Sequence, residues 1–322
     1  MVHAAAHRLL VELLPTQRRE LDTAFESAMR AAAVLDDLRP KEIAAGEATA
    51  VNIIEARKTD GYLPGATNDY RPVTAAGVYV MGDLPAGFQL ANAKPFALQS
   101  TAQFRPGPPP ALEGPVWARD YNETKDMGSA NSTKRTAWQS ETARFWDSIS
   151  GTEAWNTVAR QLVASRPLPL IDCARLFMQL NVALADTAVA VFDAKYHYAF
   201  WRPITAIRNG DIDGNDATDR DATWRPLIAT PSHPEYPCGH CIVDGAAISI
   251  LRARYGDGTL PDIILTTPAL PGVTRRYTSF HQFSEEVDNA RIWGGMHFRN
   301  SAEVAEDMGR RIGEYVLVSY RR

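Results

Sequence analysis

Residues 176 to 195, LFMQLNVALADTAVAVFDAK, are apolar on nearly every face of a helix. A helix that is hydrophobic all round is buried, so the stretch predicts a helix at the centre of a bundle and sets the fold class as all-α. No apolar run reaches the roughly 18 residues expected of a membrane span, and no such span is predicted. Asp186 and Asp193 are the exceptions within the stretch. Each needs a buried partner, expected as structural hydrogen bonding to a neighbouring helix. The helix delivers Lys195 at its end, where KYHYAFWRP, residues 195 to 203, begins. Lys195 and Arg202 stand two helical turns apart, on one face if the segment stays helical, or in one cupped loop if Pro203 ends the helix early. Either geometry points both cations at one spot.

Two stretches further on add to that spot. PCGHC, residues 237 to 241, precedes IVDGAAISILRARYG, whose apolar residues fall at helical spacing. Gly239 and His240 therefore sit at a predicted helix start, where free backbone N–H groups and the positive dipole end make an anion seat. RIWGGMH, residues 291 to 297, places Arg291 and His297 on either side of Gly294 and Gly295, so His297 is expected to project from a bend before a helix opening near Ser301. Lys195, Arg202 and Arg291, two imidazoles and a helix N-terminus suit a tetrahedral oxyanion such as phosphate or vanadate. No carboxylate cluster accompanies them, so the charge neutralisation falls to the three cations and not to a divalent metal.

The order K-x6-R-P, P-x-G-H, R-x5-H resembles the signature of the vanadium-dependent haloperoxidases and the type 2 phosphatidic acid phosphatases (PAP2), which share one active-site design. RDYNETKDMGS and HPEYPCGH look closest to the soluble bacterial and plant-like haloperoxidase branch, extending the resemblance over most of residues 95 to 320. The resemblance implies packed helix bundles with the site at the end of one bundle. It makes His297 the residue that binds vanadium, or attacks phosphorus in a phosphatase, and His240 the acid–base histidine. Lys195, Arg202, Arg291, the Gly239 N–H and Cys238 become the oxyanion clamp, and Lys195 also polarises bound peroxide. His233 falls where bromoperoxidases of the family have a histidine near the halide path, and Trp201 and Tyr236 are expected to line the pocket. His197 and His281 are read as structural. The implied cofactor is vanadate and the implied partners are hydrogen peroxide, a halide (bromide or iodide before chloride) and a small organic substrate. A His-nucleophile phosphatase acting on a phosphate ester, or a cofactor-free acid–base enzyme on the same scaffold, is the alternative.

Cys238 departs from the family, which has Ser there; a thiol is a weaker donor, becomes anionic beside cations, and is open to oxidation by peroxide. Cys238-Gly239-His240-Cys241 also has the letters of a protein disulfide isomerase site, making thiol–disulfide exchange the rival from another class. That chemistry needs a preceding strand and a βαβ frame, which the helical text around the motif does not offer. A Cys238–Cys241 disulfide is the local alternative, leaving Cys173 as a buried thiol just before the central helix.

The chain has 322 residues, 45% hydrophobic and 22% charged, enough for a substantial core. A net charge of −4 and a pI near 6 argue against nucleic acid or an acidic membrane as general partners. Residues 3 to 58 read as two helices, one carrying Leu9, Leu10, Leu13 and Leu14 and one spanning Glu42 to Arg57. The Gly-, Pro- and Thr-rich text from 61 to 115 reads as a long irregular arm, whose length suggests a lid or substrate wall. Residues 1–117 are accordingly set apart from a helical core at 118–322 that carries the site. NGDIDGNDATDRDATWR, residues 209 to 225, lacks the spacing of a calcium loop and is expected to be a solvated connection without calcium. No secretory signal is visible, so the chain as written reads as cytoplasmic, or as secreted or periplasmic if a leader has been removed. A homodimer is compatible with this reading.

Overall fold

The computed structural model describes residues 1–32, 38–62, 75–80, 85–149 and 151–321. The chain folds into two compact units, Met1–Asp60 and Gly61–Arg322. The first holds three helices where two were expected: α1 (Val2–Leu13), α2 (Arg18–Ala31) and α3 (Arg39–Arg57). The unexpected one, α2, has a mostly polar sequence, RRELDTAFESAMRA, and buries only Met29, so its narrow apolar stripe hardly registers against the charges around it. His7 ties it to α1, with Nε2 2.7 Å from Asp22 and its ring stacked on Phe25.

The second unit contains α4 (Pro115–Gly128), α5 (Ala137–Asp147), α6 (Gly151–Ser165), α7 (Leu170–Tyr198), α8 (Pro203–Arg208), α9 (Gly239–Tyr255), α10 (Phe280–Trp293) and α11 (Arg299–Ser319). Among the described residues the fold is all-α apart from one antiparallel hairpin, β1 (Ile263–Thr266) and β2 (Thr274–Tyr277), with Ile263 opposite Tyr277. Its strands are too short for alternation to show in the sequence. They bury Ile263, Leu265 and Tyr277 against Trp155, Phe280 and Phe283 in the main core cluster.

The helix read from the apolar run is α7, and Ala183, Val189, Ala190 and Ala194 on it are completely buried. It also passes, by length and composition, as a membrane-crossing helix, the one such helix among the described residues. Of its most apolar window, 56% is buried inside the fold, as befits a core helix. Cys173 lies in its first turn and is half-buried, not before the helix as expected.

The partners of Asp186 and Asp193 are not a neighbouring helix, as predicted, but the irregular arm. Asp186 accepts three backbone N–H bonds, from Phe96 (2.6 Å), Ala97 (2.8 Å) and Leu98 (2.9 Å). Asp193 takes a forked pair from Arg105 at 2.7 and 2.8 Å and a bond from Thr101. An arm with no ladder of its own needs such acceptors for its backbone donors, and α7 supplies them. Residues 63–74 and 81–84 of the predicted arm lie outside the described residues.

The 209–225 connection also differs from expectation, because it is not wholly solvated. Asp213 is buried and accepts from Trp117 Nε1 at 2.8 Å, from the Asn215 N–H and from the Thr218 hydroxyl, while Tyr121 donates to the Asp219 carbonyl. The loop is thereby laced to α4.

α9 and α11 cross with their backbones touching. A Cβ on Gly245 would come within 2.1 Å of the Glu306 carbonyl oxygen, and one on Gly309 within 1.9 Å of the Ile242 oxygen. Only glycine allows that approach.

Candidate oxyanion-binding site

Three chain breaks converge on one place. α7 ends at Tyr198 because Ala199 turns into the left-handed region (φ 44°), and Phe200 to Arg202 run extended until Pro203 opens α8. Lys195 and Arg202 thus occupy the cupped arrangement and not one helical face. Pro203 starts the next helix and does not end the first, consistent with its fixed φ at a first helical position. α9 begins at Gly239 with Cys238 as N-cap. Arg291 lies in the last turn of α10, Gly295 takes a positive φ of 74°, and His297 follows two residues before α11, which opens at Arg299.

Lys195, Arg202 and Arg291 are 0%, 1% and 2% exposed, and none has a carboxylate at ion-pair distance among the described residues. Their partners are neutral. Lys195 Nζ donates to the carbonyls of Pro234 (3.0 Å) and Glu235 (2.7 Å). Arg202 donates from Nε to the His233 carbonyl and from Nη1 to that of Met296. Arg291 has the Met296 sulfur and, at 3.4 Å, the Trp146 carbonyl, and its buried Nε has no partner. A guanidinium N–H buried without an acceptor is costly, and an anion at this point would supply the missing acceptor.

Burial, then the field of its neighbours, moves these groups. Desolvation pushes Lys195 well below the usual lysine range, with Arg202 adding to the push, and holds Arg202 and Arg291 down to about 10, still charged at neutral pH. His240 and His297 are pushed well below the ordinary imidazole value by burial and then by the three cations, so both are neutral. His240 sits in the first turn of α9 and keeps part of its surface open to solvent. A Cβ on Gly239 would lie 3.9 Å from Lys195 Cε, which places that helix start over the lysine.

His297 Nε2 is 3.3 Å from Arg202 Nη1 and its Nδ1 is 2.7 Å from Glu235 Oε1. His233 Nδ1 is 2.9 Å from Arg202 Nη2, with the ring edge-on to Phe192 near the surface. The structure thus brings together Lys195, Arg202, Gly239, His240, Arg291, His297 and His233.

Three expected positions read differently. Trp201 is not at an open pocket: it is 1% exposed and stacks on Trp117 in an aromatic cluster with Phe200 and Phe298. Tyr236 belongs to the same cluster, and its hydroxyl donates to the Gly107 carbonyl beside a cleft of about 360 Å³ walled by Pro108, Pro110, Asn300 and Val304. Cys238, expected as a thiol donor to the oxyanion, is bonded to Cys241 in a disulfide, and its sulfur accepts the Cys241 N–H. Without an S–H it has nothing to donate. Sequence reasoning missed Glu235, fully buried and within reach of His297. Its signal was a lone carboxylate in the otherwise acid-free run TPSHPEYPCGH. Thr124 of α4, which donates to the His297 carbonyl, gave none.

Comparison with known proteins fits this geometry. Residues 175–322 match the family described as the VCPO second helical-bundle domain. Vanadium chloroperoxidase of Curvularia inaequalis is 28% identical over an alignment covering 69% of this chain and 47% of that protein, so the chain spans about half the length of this curated relative. A solved bacterial vanadium-dependent iodoperoxidase superposes with a TM-score of 0.79 at 25% identity, covering 98% of this chain and 78% of that one. The holo form of a bacterial vanadium-dependent chloroperoxidase shares the fold, with a TM-score of 0.75, 20% identity and coverage of 99% and 81%.

Proposed function

Because the chain belongs to the vanadium haloperoxidase/PAP2 superfamily, we propose that it is a vanadate-dependent haloperoxidase, oxidising bromide or iodide with hydrogen peroxide to halogenate small organic substrates. The observation that carries this reading is the set of three buried cations without carboxylate partners around the Nε2 of a neutral histidine. The donor set fits vanadate: His297 offers an uncharged nitrogen, the orphaned Nε of Arg291 awaits an acceptor, and Lys195, Arg202 and the Gly239 N–H supply positive potential. When bound, vanadate supplies a Lewis-acid centre that activates peroxide toward the halide.

The chain's own groups do the rest. Lys195, held by two carbonyls, has a third N–H left over and would supply a donor and positive potential to an oxygen of the bound anion. His240, neutral and partly open to solvent, would serve as the acid–base group of the site, holding a proton for exchange with substrate or solvent. His233, bonded to Arg202 and edge-on to Phe192, is our candidate for the halide contact. The same cluster would serve a phosphatase, in which His297 Nε2 attacks phosphorus and His240 protonates the leaving alcohol.

The test is bromination of a dimedone-type probe by EDTA-treated protein with peroxide and bromide, before and after adding orthovanadate. Activity that needs vanadate and disappears in His297→Ala is expected. Hydrolysis of nitrophenyl phosphate, inhibited by vanadate and without bromination, would move the protein to the phosphatase side; silence in both assays would leave the cofactor-free alternative.

A further inference from the structure

A histidine that presents a lone pair from Nε2 must carry its proton on Nδ1, the tautomer that free imidazole side chains disfavour. At His297 both ends of the ring point to that state. Arg202 Nη1, 3.3 Å from Nε2, can only donate, so Nε2 must accept. Glu235 Oε1, 2.7 Å from Nδ1, is a carboxylate oxygen placed to take the Nδ1 proton in a hydrogen bond. The same oxygen accepts the Phe298 N–H at 3.1 Å, which fixes the carboxylate to the backbone carrying His297. Glu235 is 0% exposed, so no bulk water competes for either bond. Its main-chain carbonyl separately holds Lys195. One residue therefore grips the clamp lysine with its backbone and the histidine with its side chain; a side-chain substitution leaves the backbone grip in place, while the loss of charge is also felt by Lys195 and Arg202.

We propose that Glu235 is a positioning residue of this site: it keeps the His297 proton on Nδ1, sets the ring plane, and through its charge strengthens Nε2 as an electron-pair donor toward the oxyanion. This rests on the reading of His297 as the residue that takes the oxyanion, and it follows the general behaviour of carboxylate–histidine pairs, in which the partner of the far nitrogen fixes the tautomer and raises basicity.

The test uses Glu235→Gln, which is isosteric and retains an oxygen for both accepted bonds without the charge, and Glu235→Leu, which removes the acceptor. Equilibrium titration of the anion-free protein with orthovanadate at pH 8, where Glu235 is ionised, is expected to show affinity reduced about 10-fold in Glu235→Gln and about 100-fold in Glu235→Leu. Nitrogen-15 spectra of the anion-free protein are expected to show His297 with a protonated Nδ1 and a bare Nε2 in the wild type and in Glu235→Gln, and a mixture of tautomers in Glu235→Leu. Wild-type affinity in Glu235→Gln, or an unmixed wild-type nitrogen pattern in Glu235→Leu, would overturn the proposal. Glu235→Gln decides it alone if Glu235→Leu does not fold. His297→Ala separates the two readings. If that variant binds vanadate as the wild type does, the role of His297 fails, while the nitrogen spectra still decide whether Glu235 governs its tautomer.

Discussion

Along α7 two aspartates and a lysine are buried to nearly the same degree, at 0% for Asp186, 9% for Asp193 and 0% for Lys195, yet their surroundings are opposite. The carboxylates are saturated, Asp186 by three backbone N–H groups and Asp193 by the fork of Arg105. Lys195 has two neutral carbonyls and two like-charged neighbours in Arg202 and Arg291. The two carboxylates are neutralised within the chain, and the cations of the proposed site are not. Stability and binding should therefore respond in opposite directions when each kind is removed.

The largest effect is expected at Asp186. Asp186→Ala leaves three N–H groups of the arm without their acceptor and should lower the free energy of unfolding by about 3–5 kcal/mol, read from urea denaturation. A loss below about 1 kcal/mol would mean that the arm does not depend on this anchor. Lys195→Met should behave the other way. Vanadate affinity falls by about 2–4 kcal/mol, while the anion-free protein becomes more stable by about 1 kcal/mol because an uncompensated buried charge is gone. A destabilised Lys195→Met would erase the contrast.

A smaller effect is expected at the N-cap of α9. Replacing the disulfide by Cys238→Ser with Cys241→Ala should cost about 2 kcal/mol of stability or less, since the closed loop is short. The new hydroxyl should tighten vanadate binding about 10-fold as a donor to an anion. Unchanged affinity would show that the position does not face the oxyanion.

Least pronounced is the response to acid. Burial holds His233, His240 and His297 below their ordinary value of 6.5, so below that pH the unfolded chain takes up protons that the folded chain refuses, and their contribution to stability falls as pH falls. Glu235, raised by burial from 4.5 to about 7, works in the opposite sense: its contribution is complete below about 4.5 and is lost as pH rises to about 7. Asp288, raised by burial to about 7, and Asp244 and Asp120, raised for the same reason, act in the sense of Glu235, so the carboxyls offset the three histidines and the stability of the anion-free protein should change little between pH 6.5 and 5.5. Unfolding midpoints measured at pH 7.5, 6.5 and 5.5 check the cancellation; a midpoint that falls steeply on acidification would show that the histidines outweigh the carboxyls.

The site was legible in the sequence where its residues lie in short local motifs. Lys195 with Arg202, Gly239 with His240, and Arg291 with His297 are pairs whose spacing along the chain brings each near its partner, and the three pairs needed only to meet. What was illegible depends on contacts between distant segments. That Glu235 reaches His297, 62 residues on, that Asp186 holds Phe96 to Leu98, 88 to 90 residues back, and that Trp201 lies under Trp117 follow from packing and not from spacing. The helix class was readable from α7 because its apolar faces are continuous. α2 and the β1–β2 hairpin escaped because one buries a single side chain and the other is four residues per strand.

The crossing of α9 and α11 at Gly245 and Gly309 has a consequence for how this protein can change over time. His240 lies in the first turn of α9 and His297 two residues before α11, so the distance between the two imidazoles is gauged by main chain resting on main chain. Side chains elsewhere can be exchanged without altering that gauge, whereas a single methyl group added at the crossing would pry the helices apart. Variation selected for a new substrate should therefore accumulate around the mouth of the site and leave the seam between these helices untouched.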